Sequence, residues 1–368
     1  MVEYLSGNRI QGSSVATTTS TGNYTGWKEF SRHTLDGNAD KLQVSSLPQS
    51  RYFMVLAHII PESASSQVSH VTLDDETGSS YAERTTSYNG AEVSGNTNRF
   101  FTTHSDKTIE SGGGRFITFF MTNPETKDKF LIGRCTESNT TGTSTDSLVM
   151  ISGVGRTYAG ANSFDNTWSQ SIEIINDESG GFGSGSELVV LEYDPDQTDT
   201  SGQFWEQLAD EELTEDGDII DSGTFTAKKY IWYQIYKKTD SGSPFMEIRF
   251  NNDSTTDIYK RRYEEDGGSS TTAKGDELIP TSTAPTEFVN GFLLNTAGKE
   301  KLTHGDYISS GSDTNVPNRW RWCGKWVRTS GSGTGNASSQ VTRIQADNGN
   351  SSNSAFASGS WIKVWGHD

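Results

Sequence analysis

The chain has 368 residues, of which 31% are hydrophobic and 11% aromatic, and its formal net charge is -18. This length is typical of two domains with a core each, and the acidic balance would repel a phosphate backbone, which argues against nucleic acid as a partner. The aromatic content favours an ordered β-protein over disorder. No apolar run approaches the roughly 18 residues of a membrane helix, so we expect no membrane insertion.

The first 26 residues are polar and rich in Ser, Thr and Gly. They contain no charged leader followed by an apolar run, so we expect no secretory signal and predict folding in a cytoplasm. Such a segment cannot offset its own ordering entropy. We therefore predict that residues 1–26 form an assembly arm held by a neighbouring subunit, with docking on its own domain as the alternative. Cys135 and Cys323 are too few for a disulfide scaffold, and we expect no bridge between them.

The chain then repeats itself at a distance. The stretch "WKEFSRHTL" from Trp27 matches "WEQLADEEL" from Trp205, an offset of 178 residues. At the same offset, "RYFMVLAHII" from Arg51 matches "KYIWYQIYKK" from Lys229. Two matches in one register predict a duplicated folding unit.

Two further blocks extend the repeat to the end of the chain. The stretch "FITFFMTNPETKDKFLIG" from Phe116 matches "FVNGFLLNTAGKEKLTHG" from Phe288 at an offset of 172, and the copies end on "GSGSELVVLEYD" and "ASGSWIKVWGHD". Four blocks in one order predict two copies, which we place at 27–193 and 205–368, with a linker at 194–204. We expect Tyr52 to superpose on Tyr230, Phe53 on Ile231 and Val190 on Val364.

Within each copy, short β-branched and aromatic runs are divided by Gly, Asn, Asp and Ser clusters, which is typical of antiparallel β-structure. Asn89-Gly90 and Asp266-Gly267 suit tight hairpins at equivalent places. We predict an all-β protein of two tandem jelly-roll-like sandwiches, each of about eight strands. The one plausible helix lies near Phe204 to Leu213, and its counterpart around Trp27 is equally consistent with a strand.

Each copy contains a short polar segment at an equivalent place. It is "DDE" at Asp74 and Asp75 in the first copy and "NND" at Asn251, Asn252 and Asp253 in the second. We interpret these side chains mainly as caps for turn amides. Clustered carboxylate and amide oxygens also suit a hard cation, so calcium is the one cofactor that the sequence leaves open. The spacing does not match an EF-hand.

The second copy carries tryptophans where the first has none. In "RWRWCGKW", strand alternation places Trp320, Trp322 and Trp326 on one face. In the last strand, Ile362 and Val364 are the expected buried pair.

Alternation in that last strand then leaves Trp361 and Trp365 facing outward. We interpret the five tryptophans as candidate contacts with sugar rings or a neighbouring subunit. Padding of a partly covered sheet is the alternative interpretation.

The sequence offers no catalytic motif. There is no G-x-S-x-G elbow, H-E-x-x-H pair or phosphate-binding glycine loop. The six histidines fall singly, and with 48 acidic residues some close carboxylate pair is inevitable. We therefore predict that the chain is not an enzyme, and a glycoside hydrolase is the third alternative.

The stretches "RFNNDSTTDIYKRR", "NTAGKEKLTHG", "APTEF", "CGKW" and "FASGSWIKVWG" resemble uncharacterised duplicated β-sandwich structural proteins of marine phages and viruses. The resemblance covers nearly the whole chain and implies a capsid, decoration, spike or tail-fibre subunit. It implies partners in other copies of the chain and in other virion proteins, and assembly in the host cytoplasm. It supplies no catalytic residue.

Two functions remain open at this point. The first is a self-assembling virion surface protein that contributes to attachment to host glycans. The alternative is a carbohydrate-binding module or adhesin outside any virus, which also lacks catalysis and uses the exposed tryptophans.

Overall fold

A computed structural model describes most of the chain. The described residues are 26–62, 68–76, 80–87, 91–97, 99–103, 113–125, 127–138, 148–157, 167–177, 180–193, 203–239, 242, 244–265, 270–279, 284–310, 317–327, 339–349 and 355–368. Apart from Gly26, the predicted assembly arm lies outside them, and so do the two predicted hairpin dipeptides.

The first half of the chain contains twelve described strands. They are β1 (Trp27–Thr34), β2 (Lys41–Ser45), β3 (Tyr52–Ile59), β4 (Ser69–Leu73), β5 (Tyr81–Ser87), β6 (Ala91–Thr97), β7 (Phe100–Thr103), β8 (Gly114–Thr122), β9 (Phe130–Ser138), β10 (Leu148–Thr157), β11 (Ser171–Asn176) and β12 (Glu187–Tyr193).

The second half contains eleven described strands. They are β13 (Glu206–Glu212), β14 (Ile219–Asp221), β15 (Tyr230–Lys238), β16 (Met246–Phe250), β17 (Tyr259–Glu265), β18 (Thr271–Gly275), β19 (Thr286–Leu294), β20 (Lys301–Ser310), β21 (Asn318–Trp326), β22 (Ile344–Asn348) and β23 (Trp361–His367).

The two halves share one strand order. The large sheet of the first sandwich runs β1-β12-β3-β8-β9-β10-β5-β6, and that of the second runs β13-β23-β15-β19-β20-β21-β17-β18. The small sheets run β2-β11-β4-β7 and β14-β22-β16. The orders become identical when strands are matched by the sequence repeat, with β7 lacking a described counterpart. The prediction of an all-β duplicated sandwich is confirmed.

The registers reproduce the offsets read from the sequence. Phe53 pairs with Met121 in the first sandwich, and Ile231 pairs with Leu293 in the second. These partners are related by the offsets of 178 and 172 residues, so the predicted equivalence of Phe53 and Ile231 is confirmed.

The last strands agree as well. Val190 pairs with Val55, and Val364 pairs with Tyr233, the residue 178 positions after Val55.

The described chain divides into two compact units between Glu206 and Gln207, with the end of β9 and the start of β10 grouped with the second unit. The limits of the copies, linker and arm stay predictions. The expected helix near Phe204 to Leu213 is wrong, because β13 occupies Glu206–Glu212 and lies beside β23 in the large sheet. The described residues include no helix that could cross a membrane.

The count of about eight strands per copy is also too low. The extra strands are short, such as the three-residue β14 and the four-residue β7, and their apolar signal is too brief to separate from loops. Cys135 and Cys323 are both buried free thiols, as predicted.

A buried tyrosine holds the same corner in each copy. The hydroxyl of Tyr259 accepts from the amide of Phe250 at 2.8 Å and lies 3.2 Å from the carbonyl of Phe250 and 3.0 Å from that of Asp253. The hydroxyl of Tyr81 makes the equivalent contacts with Leu73, at 3.0 Å to the amide and 3.1 Å to the carbonyl. Burial raises the pKa of both phenols, so they stay neutral donors.

Candidate functional site

The tryptophans of β21 face the core. Trp320, Trp322 and Trp326 share a face, as alternation predicts, but Trp322 and Trp326 are fully buried among the core residues of the second sandwich. A contact role for these two residues is therefore contradicted. Alternation shows which residues share a face, and it does not show which face points inward.

A glycine makes room for Trp322. Gly305 lies opposite Trp322 in the β20–β21 ladder, and a Cβ added to Gly305 would lie 2.8 Å from the indole. Trp320 is half-buried and stacks on Tyr263, with ring centroids 4.9 Å apart. Trp320 therefore pads the edge of the core.

The tryptophans of β23 lie on the opposite, outer face. Ile362 and Val364 are completely buried in the core, which confirms the predicted inner pair. Trp361 is half-buried on the outer side, and Trp365 on the same side is 8% exposed. Of the five predicted tryptophans, Trp361 is the one with substantial surface on the outer face.

Two rows of aromatic rings cross this outer face. The register places Trp361 beside Tyr236, and Tyr236 beside Phe288. The rings of Tyr236 and Trp361 stack with centroids 5.8 Å apart, and all three side chains are half-buried. We call Trp361, Tyr236 and Phe288 the open row.

The second row is more covered. Trp365 lies beside Trp232, with centroids 4.8 Å apart, and Trp232 stacks on Phe292 at 5.9 Å with an interplanar angle of 12°. Trp365 and Phe292 are 8% and 5% exposed. The two rows are four residues apart along each strand, roughly 13 Å.

Gln234 and Asn290 lie between the rows. The Asn290 Oδ1 accepts from the Trp232 Nε1 at 2.7 Å and from the Gln234 Nε2 at 3.1 Å. An indole nitrogen can only donate, so this bond fixes which end of the Asn290 amide faces Trp232. We call the two rows together with Gln234 and Asn290 the aromatic face.

Several hydrogen-bonding groups on this face have no partner among the residues that the structure describes. Within the described part of the chain, no hydrogen bond involves the Asn290 Nδ2, the Gln234 Oε1, the Tyr236 hydroxyl or the Trp361 Nε1. Two donors, one acceptor and one hydroxyl that does both are thus available beside exposed ring faces.

Sequence reasoning found Trp361 and Trp365 and missed the rest of the face. The alternation of Trp232, Gln234 and Tyr236 was present in "KYIWYQIYKK". The missing information was the register that brings β15 and β19 beside β23.

The equivalent positions of the first sandwich differ. Leu56 and Thr118 stand where the second copy has Gln234 and Asn290, and they pair in the same register. Both are buried, with 0% and 4% exposure. The uncommitted polar pair is therefore specific to the second copy.

The outer sheet face of the first sandwich carries a different feature, an open groove of about 1080 Å³. Its lining includes five of the seven large hydrophobic side chains that are exposed in the described chain. We call it the apolar groove and define it by Tyr52, Phe120, Phe130, Ile132 and Val154, which are 52%, 39%, 53%, 59% and 45% exposed.

The first polar loop accepts from backbone amides, but those amides belong to a distant segment and not to the turn itself. Asp74 has a φ of 58°, and its Oδ1 accepts from the amides of Gln170 and Ser171 at 2.6 and 2.8 Å. Asp75 has a φ of 53° and pairs with Lys41 at 2.5 Å.

The second loop repeats this arrangement. Asn251 has a φ of 56°, and its Oδ1 accepts from the amides of Thr342 and Arg343 at 2.8 and 3.1 Å. Asp253 accepts from the amide of Thr255 at 3.2 Å, and Asn252 is exposed. Calcium at these loops stays a prediction. The hydrogen bonds of the two turns already use much of the oxygen capacity that a calcium ion would need.

Two buried ionisable groups whose pKa is shifted, Lys237 and Glu277, lie in ion pairs. Lys237 and Glu287 are fully buried, 3.1 Å apart, and burial lowers the pKa of Lys237. Burial raises the pKa of Glu277 to about 7, against the attraction of Arg261 at 2.8 Å. Among the described residues, no three His, Cys, Asp or Glu side chains are grouped to hold a metal.

No protein-family model matches the chain, and no curated protein matches it. Among solved structures, domains LG4-5 of the mouse laminin alpha1 chain align over 94% of this chain and 91% of that chain, with 8% identity and a TM-score of 0.19. The binding domain of botulinum neurotoxin DC, in complex with rat synaptotagmin II, aligns over 88% and 93%, with 8% identity and a TM-score of 0.16. Similarity this low carries no functional argument.

Proposed function

We propose that the chain is a non-catalytic glycan-binding protein and that the glycan lies on the aromatic face. The observation that carries the proposal is the set of hydrogen-bonding groups beside the open row that have no partner among the described residues. The Asn290 Nδ2, the Gln234 Oε1 and the Tyr236 hydroxyl lie next to the rings of Trp361 and Phe288.

Each part of the face matches one part of a sugar. The C–H side of a pyranose ring packs on an aromatic ring, which is large, apolar and rigid. Hydroxyl groups both donate and accept, and the amides of Gln234 and Asn290 offer both roles. Ligand sites commonly combine apolar lining with a few placed polar groups, which is the composition found here.

The face is also preorganised. Its side chains stand on three adjacent strands, and the bond from Trp232 holds the Asn290 amide in one orientation. Sites built on strands lose less entropy on binding than sites on loops.

A glycan array probed with the full chain tests this proposal. We expect hits that disappear in the Tyr236→Ala and Trp361→Ala variants. The matched control is Tyr52→Ala, which removes an exposed aromatic side chain from the first sandwich. Hits that survive both substitutions, or no hits at all, would overturn the proposal. A reducing-sugar assay on the bound glycans should show no hydrolysis, and release of sugar would favour the hydrolase alternative.

A second candidate function is self-association through the apolar groove. Five exposed large hydrophobic side chains on one sheet face exceed the scattered exposure that is usual on a monomer. A second copy of the chain is the occupant that we propose, in a homo-oligomer at the surface of a virus particle. The sequence resemblance supports that setting.

Sedimentation velocity tests the second candidate. The Phe130→Ser and Ile132→Ser double variant should shift oligomers to monomers. Ile219→Ser is the control, because Ile219 is 48% exposed and lies in the second sandwich. If the unsubstituted chain is monomeric, self-association is refuted. If electron micrographs of purified virus particles show that this chain is absent from their surface, the proposed location is refuted.

A further inference from the structure

We infer that the aromatic face takes a neutral glycan and discriminates against sulfated, phosphorylated and sialylated ones. The inference rests on the proposed function and adds the chemical class of the ligand. It follows from the charges that surround the uncommitted groups.

Two cations near the face, Lys363 and Arg321, have carboxylate partners, and the Lys363 Nζ also lies 5.5 Å from the centroid of the Trp361 ring. Lys363 stands beside Gln234 in the β15–β23 ladder, and its Nζ lies 3.2 Å from Asp210. Arg321 is bound to Glu264 at 2.5 Å, and the Glu264 side chain is only 5% exposed. An anionic ligand would have to compete with these carboxylates for each cation.

A line of paired residues crosses the sheet through Gln234 and Asn290, and the charged side chains along it sum to a negative charge. The ladder continues from Asn290 to Asp306 and from Asp306 to Arg321. Two cations, Lys363 and Arg321, thus stand in a line with three carboxylates, those of Asp210, Asp306 and Glu264.

The groups that remain available are neutral. The amides of Gln234 and Asn290, the phenol of Tyr236 and the indole of Trp361 carry no charge at pH 7. The whole chain adds a net charge of -18, which lowers the encounter rate with polyanions. A neutral polyhydroxyl ligand satisfies the free groups and meets no repulsion.

Isothermal titration across ionic strength tests the inference. The neutral probes are mannan, cellohexaose and laminarihexaose, and the anionic probes are heparin, polygalacturonate and sialyllactose. We expect binding to at least one neutral probe, with an affinity that changes less than about twofold between 50 and 500 mM NaCl, because no ion pair is formed.

A charge variant separates the outcomes. We expect Lys363→Gln to change the affinity for the neutral probe by less than about threefold. If the best ligand is anionic, and its affinity depends on Tyr236 but falls about tenfold with added salt or in Lys363→Gln, the inference is wrong while the proposed function stands. If no probe binds, both fail.

Discussion

The duplicated tyrosine corner makes a quantitative prediction. Replacing Tyr259 by Phe removes a hydroxyl that accepts from the buried amide of Phe250 at 2.8 Å and can donate to the carbonyl of Phe250 or of Asp253. Leaving a buried backbone group unsatisfied costs about 1–3 kcal/mol. We take about 2 kcal/mol as the expected loss.

Tyr81→Phe should cost a similar amount, because the hydroxyl of Tyr81 contacts the amide and carbonyl of Leu73 in the same way. For domains of 150–250 residues, a loss of about 2 kcal/mol corresponds to a fall in Tm of roughly 4–8 °C. Differential scanning calorimetry of each variant measures the shift. Tyr236→Phe is the control, since its hydroxyl lies on the outer face and has no partner among the described residues.

The result that would refute this reasoning is specific. A shift in Tyr259→Phe or Tyr81→Phe no larger than in the control would show that water replaces the lost hydroxyl and that the corner does not depend on it.

Three further predictions concern stability. Gly305→Ala should destabilise by about 1–3 kcal/mol in urea unfolding, because its Cβ would press on Trp322 and the carbonyl of Asn290; an unchanged midpoint would show that the ladder shifts freely. Lys237→Ala should lower the free energy of unfolding by about 3–5 kcal/mol, since it leaves Glu287 buried without its cation. The double variant Lys237→Ala with Glu287→Ala should recover part of that loss. The pKa of Glu277 lies near 7 in the folded chain, above the ordinary value of 4.5, so the protonated carboxyl favours folding and this contribution to stability is lost as pH rises from about 4.5 to about 7. Glu277→Gln should flatten the dependence of stability on pH in that window. An unchanged profile would contradict the shift.

Much of the fold could be predicted because the sequence contains an internal duplication. Periodicity indicated strands, and the offsets of 178 and 172 residues fixed their equivalence. Alternation in β23 placed Ile362 and Val364 inward and Trp361 outward, as the structure does. Alternation in β21 predicted that Trp320, Trp322 and Trp326 share a face, but it did not show that this face points inward, and Gly305, which makes room for Trp322, gave no signal that could be read in advance.

Most of the candidate site could not be predicted for a physical reason. The bond from Gln234 to Asn290 joins residues 56 positions apart, and the bond from Trp232 to Asn290 joins residues 58 apart. These contacts depend on the register between β15 and β19, which a single sequence does not determine. The tryptophans stood out as residues, but the polar pair between them became visible only in the folded sheet.

Titration of the best array glycan against paired double variants tests the central claim most directly. Tyr236→Ala with Trp361→Ala should weaken binding at least about fivefold, because two aromatic contacts contribute roughly 1–3 kcal/mol together. Tyr52→Ala with Phe130→Ala, which removes two exposed rings from the apolar groove, should leave the affinity within about twofold. Equal losses in the two double variants, or a loss only in the groove variant, would contradict glycan binding by the aromatic face.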